Sequence, residues 1–281
     1  MGAAMKYPNP VISVLMGIYN CAGTLPEALD SLFAQTLGGF EVILCDDGST
    51  DDTYNVAVNY ERSHSCRGRV VVLRNEKNEG LNYTLNRCFQ ESQGRYIARM
   101  DGDDRCTPDR FEKELAAFRE NPSISIVSTD MCYFDETGTW GRISHPTHPE
   151  LRDFLHGTPF CHAPCMIKRD AFEAVGGYTV DDKLLRVEDY NLWMKMYKQG
   201  FRGINIHEPL YEMRDDRNAY SRRKFKYRLN EAYAIRLAVK ELKLPAYGYL
   251  YALRPILVGL LPKKVYDFLH KKRLKQEQGE G

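Results

Sequence analysis

The residues best suited to chemistry form one short stretch, Asp101-Gly102-Asp103-Asp104, directly after the run Arg95-Tyr96-Ile97-Ala98-Arg99-Met100. Apolar alternation in that run predicts a strand, and Thr107-Pro108-Asp109 predicts a helix start with Thr107 as N-cap and Pro108 at the first helical position. Three carboxylates then share the turn. Open α/β sheets bind ligands at the carboxyl ends of their strands, and Gly102 would let the backbone approach one closely. Carboxylates this crowded raise one another's pKa unless a cation sits among them. Hard oxygen donors on one or two side chains suit Mg²⁺ or Mn²⁺, which keep several waters and share their remaining coordination with substrate phosphates. A solvated turn is the plain alternative. A phosphatase with an Asp-x-Asp nucleophile pair on its first strand is another, although this pair follows three earlier predicted strands.

Two more acidic pairs lie at element ends. Asp46-Asp47 closes a predicted strand, Phe40–Cys45, and leads into Gly48-Ser49-Thr50-Asp51-Asp52, where a helix is expected to begin. Glu188-Asp189 opens a predicted helix that ends near Gly200, where first-turn carboxylates favour the positive end of the helix dipole. Each pair is also a reasonable turn or cap.

The elements that must position these groups alternate. Val11–Met16 reads as a buried strand ending in Gly17-Ile18-Tyr19-Asn20, followed by a helix that Thr24 caps and Glu27 completes as a capping box. Val70–Leu73 is a third strand, and Asn78-Glu79-Gly80 leads into a helix from Leu81 to about Gln93. Strand and helix in alternation imply a parallel sheet with right-handed crossovers, so the polar turns after the first four strands share one edge, suited to a nucleotide. Ile124–Val127 continues the core, and Met131–Ile143 reads as a hairpin with Glu136-Thr137-Gly138 at its tip. Prolines at 146, 149, 159 and 164 then break the pattern, and the sheet is expected to give way to a less regular half with a short helix, Arg169–Val175, stopped by Gly176-Gly177.

A chain of 281 residues, 43% hydrophobic and 27% charged, is an ordinary globular protein with a sizeable core. Its net charge of +1 argues against a nucleic-acid footprint. Residues 217–281 carry 16 Lys/Arg against 5 Asp/Glu, which leaves the first 216 with a net −10. From Arg217 to about Leu242 a basic helix is expected, with Phe225, Leu229, Ala232 and Tyr233 on one face. Beyond it, Pro262–Arg273 mixes apolar groups with Lys/Arg and suits an anionic bilayer surface, a solvated packing helix being the alternative. No apolar run reaches the 18 or more residues of a membrane span. The eight scattered cysteines, with no leader-like segment ahead of them, read as reduced thiols of a cytosolic compartment, and Cys161-His162-x-x-Cys165 lacks the second pair that a zinc site needs.

Four stretches taken together, Val11–Asn20, Val42–Asp52, Ala98–Arg110 and Val187–Met196, resemble glycosyltransferase family 2, the inverting sugar transferases of GT-A fold. The resemblance covers roughly residues 8–215. It implies an α/β GT-A fold with a Rossmann-like, mostly parallel sheet flanked by helices and an irregular acceptor-binding half, beyond which the composition adds a basic helical C-terminal segment. The expected divisions are 1–130 for the nucleotide sugar, 131–216 for acceptor and catalysis, and, from the charge distribution, 217–281 for the basic, membrane-associating segment. It further implies Tyr19 against the nucleotide base, with Gly17 beside it, and Asp47 accepting from a ring N–H with Asp46 adjacent. Asp103 becomes the direct metal ligand, and Asp101 a contact to donor sugar, ribose or metal water. Asp189, in the pair with Glu188, becomes the general base. The Q-x-x-R-W sequence and spanning helices of processive members are missing, which implies one sugar per transfer. After Tyr211-Glu-Met-Arg214 the family's His gives way to Asp215-Asp216-Arg217, so Arg214 or Arg217 is expected to meet the diphosphate. The expected activity is metal-assisted transfer of a hexosyl or N-acetylhexosaminyl group from a UDP-linked sugar to a glycan or lipid-linked acceptor, peripherally at the inner membrane face. A nucleotidyltransferase and a sugar-nucleotide-binding scaffold are the alternatives. Against the first, residues 14–27 hold no Lys or Arg for a phosphate loop.

Overall fold

A computed structural model describes residues 10–64, 69–215 and 224–261. Arg217, Cys66 and the Pro262–Arg273 segment lie outside the described residues.

The strands are β1 (Ile12–Ile18), β2 (Phe40–Asp46), β3 (Val70–Arg74), β4 (Tyr96–Arg99), β5 (Arg105–Cys106), β6 (Ile126–Asp135), β7 (Gly138–Ile143), β8 (Met166–Lys168) and β9 (Gly203–Arg214). The helices are α1 (Leu25–Phe33), α2 (Thr53–His64), α3 (Leu81–Glu91), α4 (Arg110–Glu120), α5 (Arg169–Ala174), α6 (Glu188–Lys198), α7 (Phe225–Glu241) and α8 (Leu253–Gly259). One sheet runs in the order β3-β2-β1-β4-β8-β6-β9-β5, with β7 paired to β6. β1 through β4 are parallel neighbours, as the alternating apolar runs require, and β1 is buried along almost its whole length because helices cover both faces.

The second half differs from its sequence reading. It returns two strands to the same sheet: β8 pairs antiparallel with β4 and β6, and β9 pairs parallel with β6 and antiparallel with β5. β8 has only three residues, and Pro209 interrupts the alternation in β9, so neither makes a periodic run. The β6–β7 hairpin forms, with Gly138 at φ 112° at its tip.

Three local expectations also change. Thr107 does not cap α4, which starts at Arg110 with Asp109 as its N-cap, because β5 occupies the chain just before and pairs with β9. The α1 capping box does not close, for the Thr24 hydroxyl donates to the carbonyl of Gly102 at 3.1 Å and Glu27 turns to arginines elsewhere. On α7 the apolar residues Phe225, Leu229 and Tyr233 face outward, while Ala234, Ile235, Ala238 and Val239 are buried.

α6 is seated by large buried side chains. Trp193 is fully buried and meets Phe160 edge-on with ring centres 5.4 Å apart, and the Tyr190 hydroxyl donates to the carbonyl of Phe154 at 2.6 Å. Large buried aromatics dominate such packing, so the first turn of α6, which carries Glu188 and Asp189, is held in one position.

Candidate active site

Of the three carboxylates after β4, one faces inward. Asp104 is buried and accepts from the Tyr211 hydroxyl at 2.9 Å and the Arg214 backbone N–H at 2.8 Å, while the Asp101 N–H donates to the same hydroxyl at 3.1 Å. Asp104 thus ties the end of β9 to the acidic turn. Gly102 is also set by packing. A Cβ there would lie 2.8 Å from the Cys21 sulfur and 3.0 Å from Ile18, so the small residue lets the turn pack against the end of β1.

Asp101 and Asp103 do not share that inward position. Arg99, buried in the last position of β4, donates from Nη2 to Asp101 Oδ1 at 2.6 Å. Among the described residues no side chain hydrogen-bonds the Asp103 carboxylate. Burial first, and Asp101 second, lift its pKa above the usual carboxylate range, with Arg99 and Arg214 pulling against them. A carboxylate pair strained in this way is relieved by a cation. No group of three His, Cys, Asp or Glu side chains gathers into a metal cage among the described residues. Two carboxylates on an open turn fit a divalent ion that completes its shell with waters and phosphate oxygens.

Beside this turn, beyond Ile18, opens a cleft of about 590 Å³. Gly17, Tyr19 and Asp47 from the ends of β1 and β2 line one wall, and Glu188 lines another. Tyr19 is half exposed on that wall. Gly17 packs closely on α3, where a Cβ would lie 3.0 Å from a Leu81 methyl and 3.3 Å from that of Thr84. Asp47 is already engaged. Its Oδ1 accepts from Asn75 Nδ2 at 2.6 Å and the Glu79 N–H at 2.9 Å, and its Oδ2 accepts from the Gly80 N–H at 2.9 Å. A carboxylate offers about four acceptor positions, so capacity remains for a donor in the cleft. Asp46 stays off the wall: fully buried, it accepts from the Ser49 N–H at 3.3 Å and pairs with Arg74 at 3.1 Å, holding the loop after β2.

Asp189 lines a second cavity, of about 520 Å³, together with Thr158 and residues of α7 and α8. Adjacent residues of α6 therefore serve two neighbouring spaces. Burial raises the pKa of both acids. Asp189 is held down by the N–H of Tyr190, the Thr158 hydroxyl and Arg99, and Glu188 is raised further by Asp189 and lowered by Arg99 and Arg186. One buried guanidinium, that of Arg99, acts on Asp101, Asp103, Glu188 and Asp189, which brings the acidic turn and the α6 pair into one electrostatic neighbourhood.

Arg214 sits against the acidic turn. Its Nε donates to the Asp103 carbonyl at 3.1 Å, its guanidinium lies 4.5 Å from the Phe134 ring centre, and it ion-pairs with Glu27, which also binds Arg105 at 3.0 Å. Sequence reasoning missed Glu27 in this role, as it missed Asn75 behind Asp47. It also passed over Arg99, for which a signal existed, since an arginine at the end of a buried strand needs an acidic partner. The seven described cysteines are free, and His162, between Cys161 and Cys165, bonds through Nε2 to the Tyr178 hydroxyl at 2.7 Å and holds no metal cluster.

The sequence model described as Glycosyl transferase family 2 matches residues 13–176, more than half of the chain, and that of Glycosyl transferase family group 2 matches residues 96–264. The chain belongs to glycosyl transferase family 2. This family 2 glycosyltransferase is 39% identical to EpsE of Bacillus subtilis, which carries a glycosyltransferase name, over 97% of both chains. It is 28% identical, over 97% of its own length and 99% of the other, to an Escherichia coli protein named UDP-Gal:alpha-D-GlcNAc-diphosphoundecaprenol beta-1,3-galactosyltransferase. The solved Pyrobaculum calidifontis mannosyltransferase PcManGT, in complex with GDP-Man and Mn²⁺, superposes with a TM-score of 0.67 at 18% identity, over 94% of this chain and 80% of the other. Staphylococcus aureus TarS 1-349 in complex with UDP-GlcNAc gives 0.65 at 19% identity, over 87% and 70%. The fold is GT-A.

Proposed function

We propose that this glycosyltransferase moves one hexosyl or N-acetylhexosaminyl group, with inversion, from a UDP-linked sugar to a glycan or lipid-linked acceptor at the inner face of the cell membrane. The observation that carries the reading is the pair at the start of α6, with Glu188 on the cleft shared by Tyr19 and Asp47 and Asp189 on the cavity beyond it. Donor and acceptor would then meet at the two acids. The nucleotide base lies against Tyr19, and Asp47 accepts from a ring N–H. Mg²⁺ or Mn²⁺ would be held by Asp103, with Asp101 in support, and would supply Lewis acidity to the departing diphosphate.

Asp189 takes the proton of the acceptor hydroxyl as its oxygen bonds to the anomeric carbon. The bond from that carbon to the diphosphate breaks on the opposite face, and the electron pair leaves with UDP. Burial raises the basicity of Asp189, the direction that suits a general base. Arg214, fixed by Glu27 beside the turn, adds positive charge near the diphosphate. The E. coli relative's name, with its UDP-linked donor and diphospholipid acceptor, supports the substrate classes, and the Mn²⁺ in the PcManGT complex supports the cation. No helix among the described residues is long and apolar enough to cross a membrane, in keeping with peripheral attachment.

Calorimetric titration with UDP, with and without Mn²⁺, followed by assay of UDP release from a panel of UDP-sugars, tests the reading. Metal-dependent binding with release is expected. Binding to none of the nucleotides would end it.

A further inference from the structure

One wall of the donor cleft is a strap, residues 178–187, that leads straight into α6. From Val180 to Lys183 every side chain of the strap is exposed, so packing of its own side chains does not fix that stretch. Asparagine amides on main-chain carbonyls hold it instead. From α3, Asn82 Nδ2 donates to the Thr179 carbonyl at 2.7 Å and Asn86 Nδ2 to that of Tyr178 at 2.8 Å. From α7, Asn230 Nδ2 donates to the carbonyls of Asp182 at 3.3 Å and Leu185 at 3.0 Å. Asn230 is buried, and both protons of its amide are spent on this one turn. Lys183, inside the turn, lies 5.7 Å from the ring centre of Tyr233, one turn further along α7.

The residue after the stapled Leu185 is Arg186, at φ 68°, and Val187 then caps α6. A Cβ disfavours that left-handed conformation, which persists only where its surroundings hold it. Asn230 is thus the point from which α7 fixes the entry to Glu188 and Asp189. The same helix reaches the cleft itself. Tyr227, three residues before Asn230 and so on the same side of α7, is the one lining residue that comes from beyond α6 among the described residues. Because Asn230 grips the residue next to Arg186, Tyr227 stands beside the Glu188 wall.

We propose that α7 is a working part of the donor site, in which Asn230 is a positioning residue that holds the strap along the cleft and Tyr227 meets the transferring sugar. A half-buried tyrosine offers a ring face to the C–H groups of a pyranose and a hydroxyl to its oxygens. Asp181 and Asp182, on the strap, accept from sugar hydroxyls and repel a sugar that carries a carboxylate. The sugar that fits is neutral. The inference rests on the UDP-sugar reading of the cleft, and it adds the residues of the C-terminal segment that read the sugar.

The test is calorimetry on the full chain with Mn²⁺ and no acceptor, titrated with UDP, UDP-glucose, UDP-galactose, UDP-N-acetylglucosamine and UDP-glucuronic acid. Tyr227→Ala, Asn230→Leu and Asn230→Ser are each expected to weaken the best-bound neutral UDP-sugar by about tenfold, or about 1.4 kcal/mol, and to leave UDP within about twofold of the wild type. Partial unfolding would lower the number of sites and not the affinity of those that remain, so a purely structural role does not produce this split. UDP-glucuronic acid is expected to bind more weakly than UDP-glucose. Equal weakening of UDP and the UDP-sugar, unchanged UDP-sugar affinity in Tyr227→Ala or in both Asn230 variants, tighter binding of UDP-glucuronic acid, or binding of UDP with none of the neutral UDP-sugars would overturn the inference and leave the cleft as a UDP site. Failure of the wild type to bind UDP would remove the donor reading itself.

Discussion

Replacing Asp189 by Asn keeps the shape of the side chain and removes one negative charge from a confined position. Activity and stability should then move in opposite directions. If Asp189 takes the acceptor proton, its loss should lower kcat by about 10²–10⁴-fold, the usual contribution of a positioned base, while donor affinity changes little because the side chain faces the other cavity. Stability follows from the direction of the pKa shift. Burial lifts the folded-state value above the ordinary 3.8, so the folded chain binds this proton more tightly than the unfolded chain does. The ionised group is therefore a penalty on folding that grows as pH rises from 3.8 through the folded value, then stays constant. Asp189→Asn removes that penalty, so it should be neutral in acid and stabilising at pH 7, by about 1.4 kcal/mol for each unit of the shift. The assays are UDP release with acceptor present, calorimetric UDP binding, and urea denaturation at pH 4 and pH 7. Turnover within tenfold of wild type would refute the base assignment. A loss of several kcal/mol in stability at pH 7 would show that the charge is a structural partner. In the wild type, the acid limb of kcat should lie above the ordinary Asp value.

Asp103→Asn should abolish the dependence of UDP binding on Mn²⁺, read by calorimetry with and without the metal, and leave metal-free binding intact. Asp47→Asn exchanges one carboxylate oxygen for an amide that cannot accept from the Glu79 or Gly80 N–H. A loss of about 1.5–3 kcal/mol in urea denaturation is expected, with a raised donor KM. Trp193→Ala empties the aromatic cluster beneath α6 and should cost about 3–5 kcal/mol, with turnover falling more than the folded fraction does as Glu188 and Asp189 lose their fixed position. Tyr211→Phe removes the hydroxyl shared by Asp104 and the Asp101 N–H, leaving both unpartnered there. It should cost about 1–3 kcal/mol by denaturation and weaken Mn²⁺ binding.

By itself the sequence determined what is local. The runs Val11–Met16, Phe40–Cys45 and Val70–Leu73 declare strands because their apolar residues are contiguous, and acidic or glycine-containing ends mark where each chain segment turns back. With four parallel strands in sequence, handedness alone puts Tyr19, Asp47 and the Asp101–Asp103 turn on one edge. The start of α6 at Glu188 was equally legible, since caps and first-turn acids are read from neighbours in the chain.

Only the tertiary structure decided which acid is withdrawn and which lines a cavity. Asp101, Asp103 and Asp104 are chemically alike in sequence, yet Asp104 is withdrawn because Tyr211 and Arg214, more than a hundred residues away, donate to it. β8 and β9 enter the sheet through partners chosen across the fold, which three residues or a proline-broken strand cannot announce. The division of Glu188 and Asp189 between two cavities depends on walls that α3, α7 and α8 bring from opposite ends of the chain. Propensity and periodicity act over a few residues, whereas burial, hydrogen-bond partners and electric field are set by whatever the folded chain brings within a few ångströms.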